Sequence, residues 1–246
     1  MVLPIAIAVV LSVLAVIIIF INSKDEENGV KYIAHRGHGY YNNTEKAFYN
    51  SADYWGIECD VRITSDDRLI LNHDATVTYD DGSVLEVENS TYDELMSKTM
   101  GGGYKLCSLQ RYLEICDEMS KVAIIELKST FQADDVSRLL YEIETYHSID
   151  DTAVIAFDRN NLLRVKEQSN IELHYLINGD KVECIEFCIE QKIYPSIQYY
   201  SIKKDDVIKA HNAGLKIGAW TVNSNTSNFR MKYYGVDYVT SDEFWE

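Results

Sequence analysis

The chain lacks a basic stripe: Lys and Arg total 23 against 39 Asp and Glu, a formal net charge of −16 over 246 residues. A protein that grips a nucleic-acid backbone needs clustered cations to displace the counterions of the phosphates, so no nucleic-acid partner is expected. The acidic balance favours solubility, and cation binding wherever carboxylates converge. There is no CxxC pair, and the five cysteines (Cys59, Cys107, Cys116, Cys184 and Cys188) are an odd number. That fits neither a zinc knuckle nor an evenly paired disulfide framework. The thiols read as small hydrophobes, with Cys184 and Cys188 on one helical face. No GxGxxG follows the first candidate strand, so the fingerprint of a dinucleotide-binding doubly wound sheet is missing. Internal repeats and low-complexity tracts are absent as well. With 25% charged and 46% apolar residues, the chain is neither a disordered tail nor a polytopic membrane protein.

What is present begins with residues 2–21, an uncharged run rich in Val, Ile, Leu and Ala. Such a run, at about 1.5 Å of helical rise per residue, covers about 30 Å, the hydrocarbon thickness of a bilayer. No Lys or Arg precedes it, and residues 18–22 offer no small-x-small cleavage site. An uncleaved single-pass anchor is therefore expected rather than a signal peptide. The run is apolar on every face, which argues against a core helix. Residues 1–22 are assigned to this transmembrane helix, 23–29 (SKDEENG) to a polar linker, and 30–246 to a catalytic-sized domain. Lys24 and Lys31 follow the helix among acidic neighbours, which leaves the side of the membrane open.

From residue 30 onward, short β-branched runs alternate with amphipathic stretches. Candidate strands are 31–34, 57–63, 122–127, 153–157, 172–177, 193–197, 216–221 and 238–240. Helical patterns lie between most of them, at 44–54, 108–119, 134–146, 159–168, 181–191, 203–213 and 226–233. Asn43 or Thr44 can cap the first helix and Ser201 the sixth, which Gly214 terminates. This alternation predicts an α/β fold, a (β/α)8 TIM barrel, with one insertion after strand two. The insertion, residues 62–106, contains an expected hairpin around Asp80-Asp81-Gly82, a short helix at 92–97 and a flexible Gly101-Gly102-Gly103.

Chemistry in such a barrel sits at the C-terminal ends of the strands. Strand one ends in His35-Arg36-Gly37. Strand two carries Glu58-x-Asp60, whose spacing puts both carboxylates on one face. Strand three ends in Glu126-Leu127-Lys128, and His73-Asp74 follows a short apolar run in the insertion. Three carboxylates in one mouth repel unless neutralised, and a hard divalent cation with oxygen ligands would do so. Tyr40, Tyr41 and Tyr199 follow candidate strands and are expected at the border of the mouth. Trp220, near the end of strand seven, is expected to line the pocket.

The ordered set His35-Arg36-Gly37, Glu58-x-Asp60, His73-Asp74, Glu126-x-Lys128 and Trp220-Thr221-Val222-Asn223 resembles the glycerophosphodiester phosphodiesterase family over about residues 32–242. The resemblance implies a metal-dependent (β/α)8 barrel that hydrolyses small glycerophosphodiesters to glycerol phosphate and an alcohol. It implies Glu58, Asp60 and Glu126 as ligands of a divalent cation, Mg or Ca. His35 and His73 would be the acid–base pair, Arg36 and Lys128 would bind phosphate, and Trp220 would line the substrate pocket. Two alternatives stay beside it: phospholipase-D-like action on intact phospholipids, and an inactive membrane-tethered binding barrel. The family's usual Pro-Glu-Asn-Thr is here Tyr41-Asn42-Asn43-Thr44, so Asn42 replaces a carboxylate. Glu45 is close in sequence but falls in the first helical turn.

Overall fold

The computed structural model describes residues 29–39, 41–179 and 181–245. The expected anchor and most of the linker therefore lie outside the described residues, as does Tyr40. Among the described residues, no helix is long and apolar enough to cross a membrane.

Eight parallel strands close into a barrel. They are β1 (Lys31–Ala34), β2 (Gly56–Ile63), β7 (Val122–Leu127), β8 (Thr152–Ala156), β9 (Glu172–Ile177), β10 (Tyr194–Gln198), β11 (Gly218–Trp220) and β12 (Tyr238–Ser241). Each pairs with the next, and β12 returns to β1 with Lys31 beside Tyr238 and Ala34 beside Ser241. Helices α3 (Leu109–Glu118), α4 (Ala133–Tyr146), α5 (Arg159–Gln168), α6 (Lys181–Gln191), α7 (Lys204–Asn212) and α8 (Asn225–Tyr234) alternate with the later strands, and α1 (Glu45–Tyr49) follows β1. Inward side chains alternate along each strand. Ile33, Ile124, Ala153, Ile155, Leu176 and Tyr238 pack into one plug inside the barrel. That plug closes the floor and leaves the C-terminal ends of the strands to carry polar groups.

Helix ends follow local chemistry. Ser108 accepts from the Arg111 N–H at 3.1 Å, Asp158 from Asn160 at 2.8 Å and Ser224 from Ser227 at 3.2 Å, starting α3, α5 and α8. In α3, Leu109, Tyr112, Leu113 and Cys116 are buried at helical spacing. Two expectations need correction. The first helix ends at Tyr49 rather than running to 54. There Ser51 donates its hydroxyl to the Ala47 carbonyl at 2.9 Å, competing with the next helical turn, and the chain turns to enter β2. Ser201 does not cap α7: its hydroxyl donates to the Gln198 carbonyl, and Lys203 occupies the cap position.

The insertion after β2 forms an antiparallel extension of the barrel wall. Here β3 (Leu69–Leu71) pairs with β2, β6 (Cys107–Ser108) pairs with β3, and β4 (Thr76–Thr78) with β5 (Val84–Glu86) makes the hairpin. A short helix α2 (Tyr92–Met96) follows. Ile70, Val77, Tyr79, Val87, Leu95 and Leu106 give this segment its own small core. The three-glycine stretch is held rather than loose: the Gly102 and Gly103 amides both donate to the Asp80 carboxylate at 2.9 Å. Tyr41 stacks on Tyr104 with ring centroids 4.2 Å apart, and a Cβ at Gly101 would lie 1.9 Å from its ring. Among the described residues the cysteines are all free; four are buried and Cys184 is half-buried.

Candidate active site

Residues 35–39 and 41–44 are held against β2 by a set of backbone and side-chain contacts. Arg36 and Asn43 both adopt left-handed conformations, with φ of 57° and 58°. Non-glycine residues rarely sit there, and such strain collects at functional sites. Between them Gly37 has φ of 77°, and a Cβ on it would lie 2.7 Å from the Ala47 backbone, so only glycine lets the loop lie on α1. The return is a set of aimed groups. The Arg36 N–H donates to Glu58 Oε2 at 2.7 Å, and its Nε lies 3.1 Å from Asp60 Oδ2. Asn43, placed above as a possible cap, instead grips Asp60. Its Nδ2 donates to Oδ2 at 2.8 Å, and its Oδ1 accepts from the Asp60 N–H at 3.0 Å. Thr44 is the residue that caps α1.

Strand register assembles the acidic cluster. Glu58 and Asp60 share the inner face of β2, and the β2–β7 pairing sets Glu126 beside Asp60. One oxygen from each of the three carboxylates lies within 4.8 Å of the others, and all three side chains are buried. Lys128 Nζ stands 2.8 Å from Glu126 Oε1 and 3.5 Å from Asp60 Oδ1. Three negative charges thus face two positive ones. Glu58 Oε1 and Asp60 Oδ1 are buried without a hydrogen-bond donor. Burial first, then Asp60 and Glu126, push the Glu58 carboxyl well above its ordinary range, and burial with Asp60 raises Glu126. Buried carboxylate oxygens without a hydrogen-bond donor, set this close together, could hold a metal ion. Oxygen donors of this kind suit hard divalent cations.

Each imidazole meets this cluster with its back held. His35 Nδ1 lies 2.7 Å from Asp242 Oδ1, and His73 Nδ1 lies 2.7 Å from Asp74 Oδ1. The His73 carbonyl accepts from Arg62 Nε and Nη2 at 3.2 and 2.8 Å, fixing the backbone of that loop to β2. Burial lowers the His73 pKa, against the opposing pull of Asp74. A pocket of about 150 Å³ opens at this end of the barrel, lined by His35, Arg36, Glu58, His73, Glu126 and Lys128 on its polar side. Ile155, Phe157, Leu176 and Trp220 form its apolar wall, and Phe157 meets Trp220 edge-on with centroids 5.4 Å apart. Asp60 lies beneath, fully buried. A larger cavity of about 410 Å³, around Glu172 and Tyr194 at the opposite end of these strands, holds none of these groups.

The sequence-predicted residues therefore converge, while their supports come from elsewhere in the chain. Asp242 reaches His35 only through the β12–β1 pairing, Phe157 enters from the end of β8, and Arg62 reaches the His73 carbonyl where β3 folds back along β2. Asp74 is adjacent to His73, which is the one signal that could have revealed it. Glu45 binds Arg111 at 3.1 Å on the surface and does not stand in for the carboxylate missing at Asn42.

Fold and site together define a (β/α)8 barrel whose mouth combines a buried carboxylate cluster, two cationic side chains and two carboxylate-held imidazoles. The glycerophosphoryl diester phosphodiesterase family matches residues 35–245, and the chain belongs to that family. It is 25% identical over 226 residues to the glycerophosphodiester phosphodiesterase of Caldanaerobacter subterraneus subsp. tengcongensis, covering 86% of this chain and 93% of the relative. It is 28% identical over 233 residues to that of Bacillus altitudinis, covering 86% and 94%. Among solved structures it is similar to the glycerophosphodiester phosphodiesterase from Parabacteroides distasonis, with TM-score 0.77, 24% identity and coverage of 87% and 93%. It is also similar to an Oleispira antarctica phosphodiesterase in complex with its product sn-glycerol-3-phosphate, with TM-score 0.80, 19% identity and coverage of 86% and 92%. The two structural likenesses speak to the fold.

Proposed function

We propose that the chain hydrolyses glycerophosphodiesters to glycerol phosphate and an alcohol, with a divalent cation at Glu58, Asp60 and Glu126 and acid–base work by His35 and His73. The observation that carries this reading is the convergence of both histidines, both cations and the carboxylate cluster on one small pocket. Family membership supports the same chemistry. The bound cation would neutralise phosphoryl oxygen charge and polarise the phosphorus centre. Arg36 and Lys128 bind the remaining phosphate charge as it grows. Burial lowers the His73 pKa and so favours the neutral ring, which suits it to accept the proton of the attacking hydroxyl. His35 then holds the proton that the departing alkoxide takes up. The apolar wall of Phe157 and Trp220 shields the carbon side of the diester from water.

The test is release of glycerol 3-phosphate from a panel of glycerophosphodiesters, with magnesium, calcium or chelator. Release with a cation and none with chelator is expected. Full turnover in chelator removes the cation from the reading, and no release from any diester overturns hydrolysis.

We also propose that residues 2–21 tether the barrel to a membrane, on the strength of their length and lack of charge. Carbonate washing of membranes should leave the full chain in the pellet. Its recovery in the wash overturns the tether.

A further inference from the structure

We propose that Asn223 and Asp242 form a clamp that positions His35, fixing its ring and its tautomer for the reaction. This rests on the hydrolase reading above and adds to it two residues from the last two barrel strands. Asp242 follows β12 and Asn223 follows β11, while His35 follows β1, so the clamp spans the seam where the barrel closes.

The contacts leave the carboxylate little freedom. Its Oδ1 lies 2.7 Å from His35 Nδ1, and its Oδ2 accepts from Asn223 Nδ2 at 2.5 Å. The Asp242 N–H donates to Asn223 Oδ1 at 3.0 Å, so the two residues hold each other through two reciprocal bonds. Ser241 donates its hydroxyl to the carbonyl of Val222, the residue before Asn223, at 2.5 Å. Asp242 cannot rotate away from His35 without breaking its bond to Asn223.

The chemistry follows from donor and acceptor rules. A carboxylate only accepts, so its contact with Nδ1 requires a proton there. With Nδ1–H held on the carboxylate, Nε2 is the nitrogen that carries the proton for the departing alkoxide, and once that proton has left the neutral ring is the Nδ1–H tautomer. An imidazole free to flip or change tautomer would lose that arrangement for part of the time. The other dyad is built differently. Asp74 is the chain neighbour of His73, its side chain is 77% exposed, and among the described residues no amide holds its carboxylate. Asp242 is therefore the more demanding partner, and its loss should cost more.

The experiment uses the full chain with its cation and compares Asp242→Asn, Asp242→Glu, Asn223→Ala and Asp74→Asn. An amide at 242 can donate to Nδ1 and so turn the ring to the Nε2–H tautomer. In the Ser-His-Asp triad the equivalent change keeps the geometry and lowers kcat by about 10⁴. For Asp242→Asn a fall in kcat of roughly 10²–10⁴ is expected, with KM changed by less than about threefold. At a pH high enough for the ring to be neutral, the ¹⁵N signals of His35 should move from the Nδ1–H to the Nε2–H pattern. Asn223→Ala should cost roughly tenfold in kcat through misplacement and leave the tautomer unchanged. Asp242→Glu, which keeps an acceptor, should keep the Nδ1–H pattern, and Asp74→Asn should cost less than Asp242→Asn. Unchanged His35 signals in Asp242→Asn, or a kcat within about threefold of the native chain, overturn the proposal. The magnetic resonance readout needs no turnover. A native chain without hydrolase activity whose His35 still changes tautomer in Asp242→Asn overturns the function and supports the clamp.

Discussion

Replacing Glu58, Asp60 or Glu126 by its amide is expected to lower kcat on the order of 10³-fold and to weaken magnesium or calcium binding, while the barrel still folds. On the proposed reading, the loss in turnover would follow from removing one of three oxygen ligands of a cation that stabilises charge where the phosphorus centre reacts. The survival of the fold follows from the crowding of the same groups. Without a cation, three buried carboxylates share the neutralising charge of only Arg36 and Lys128. Burial raises the Glu58 and Glu126 pKa values first and mutual repulsion adds to it; removing one negative charge relieves that repulsion. The sign of the pH effect comes from those raised values. A carboxyl whose folded pKa exceeds its unfolded value stabilises fully below the ordinary value of 4.5, and that contribution is lost as pH rises through the folded pKa. The stability advantage of Glu58→Gln over the native chain, measured by urea unfolding in chelator, should therefore grow from pH 5 to pH 8. Saturating cation should abolish or reverse it. An advantage that shrinks with rising pH would mean that the cluster is already balanced by its own lysine and arginine.

His35→Ala and His73→Ala should each lower kcat by roughly 10²–10⁴, the usual loss when a general acid or base is removed. Cation affinity, measured by titration calorimetry, should stay near its native value, because neither imidazole is among the clustered oxygen ligands. Because the two histidines act in one proton cycle, the double variant should be far less impaired than the product of the single losses. His147 and His211 are the controls. The first ends α4 beside Asp117 and Asp151, and the second binds Asp237 at 2.9 Å, both away from the pocket. His38 is a poor control, since its Nδ1 lies 3.1 Å from the Asp242 carbonyl and from the Tyr54 hydroxyl. His174 is buried against Glu172 in the barrel floor, so its loss should reduce stability before turnover. A fall at His147 as large as at His35 would sink the assignment.

Much of this architecture is legible one element at a time. Short β-branched or apolar runs place β1, β7 and β9 at the residues where they occur, and helical spacing does the same for α5 and α6. The Glu58-x-Asp60 spacing is enough to put two carboxylates on one face, because that depends only on the pleat of a single strand. These are short-range relations, and the residues that express them are neighbours in the chain. The supports of the site are of another kind. His35 and Asp242 are 207 residues apart and meet only because β12 pairs with β1 in one register. Asn43 looks like a helix cap from its neighbours, yet its side chain goes to Asp60, seventeen positions away. Arg62 reaches the His73 carbonyl only once β3 has folded back along β2. Local periodicity specifies which face a side chain takes. Barrel closure and strand register, which depend on packing all eight strands around one core, decide which faces meet.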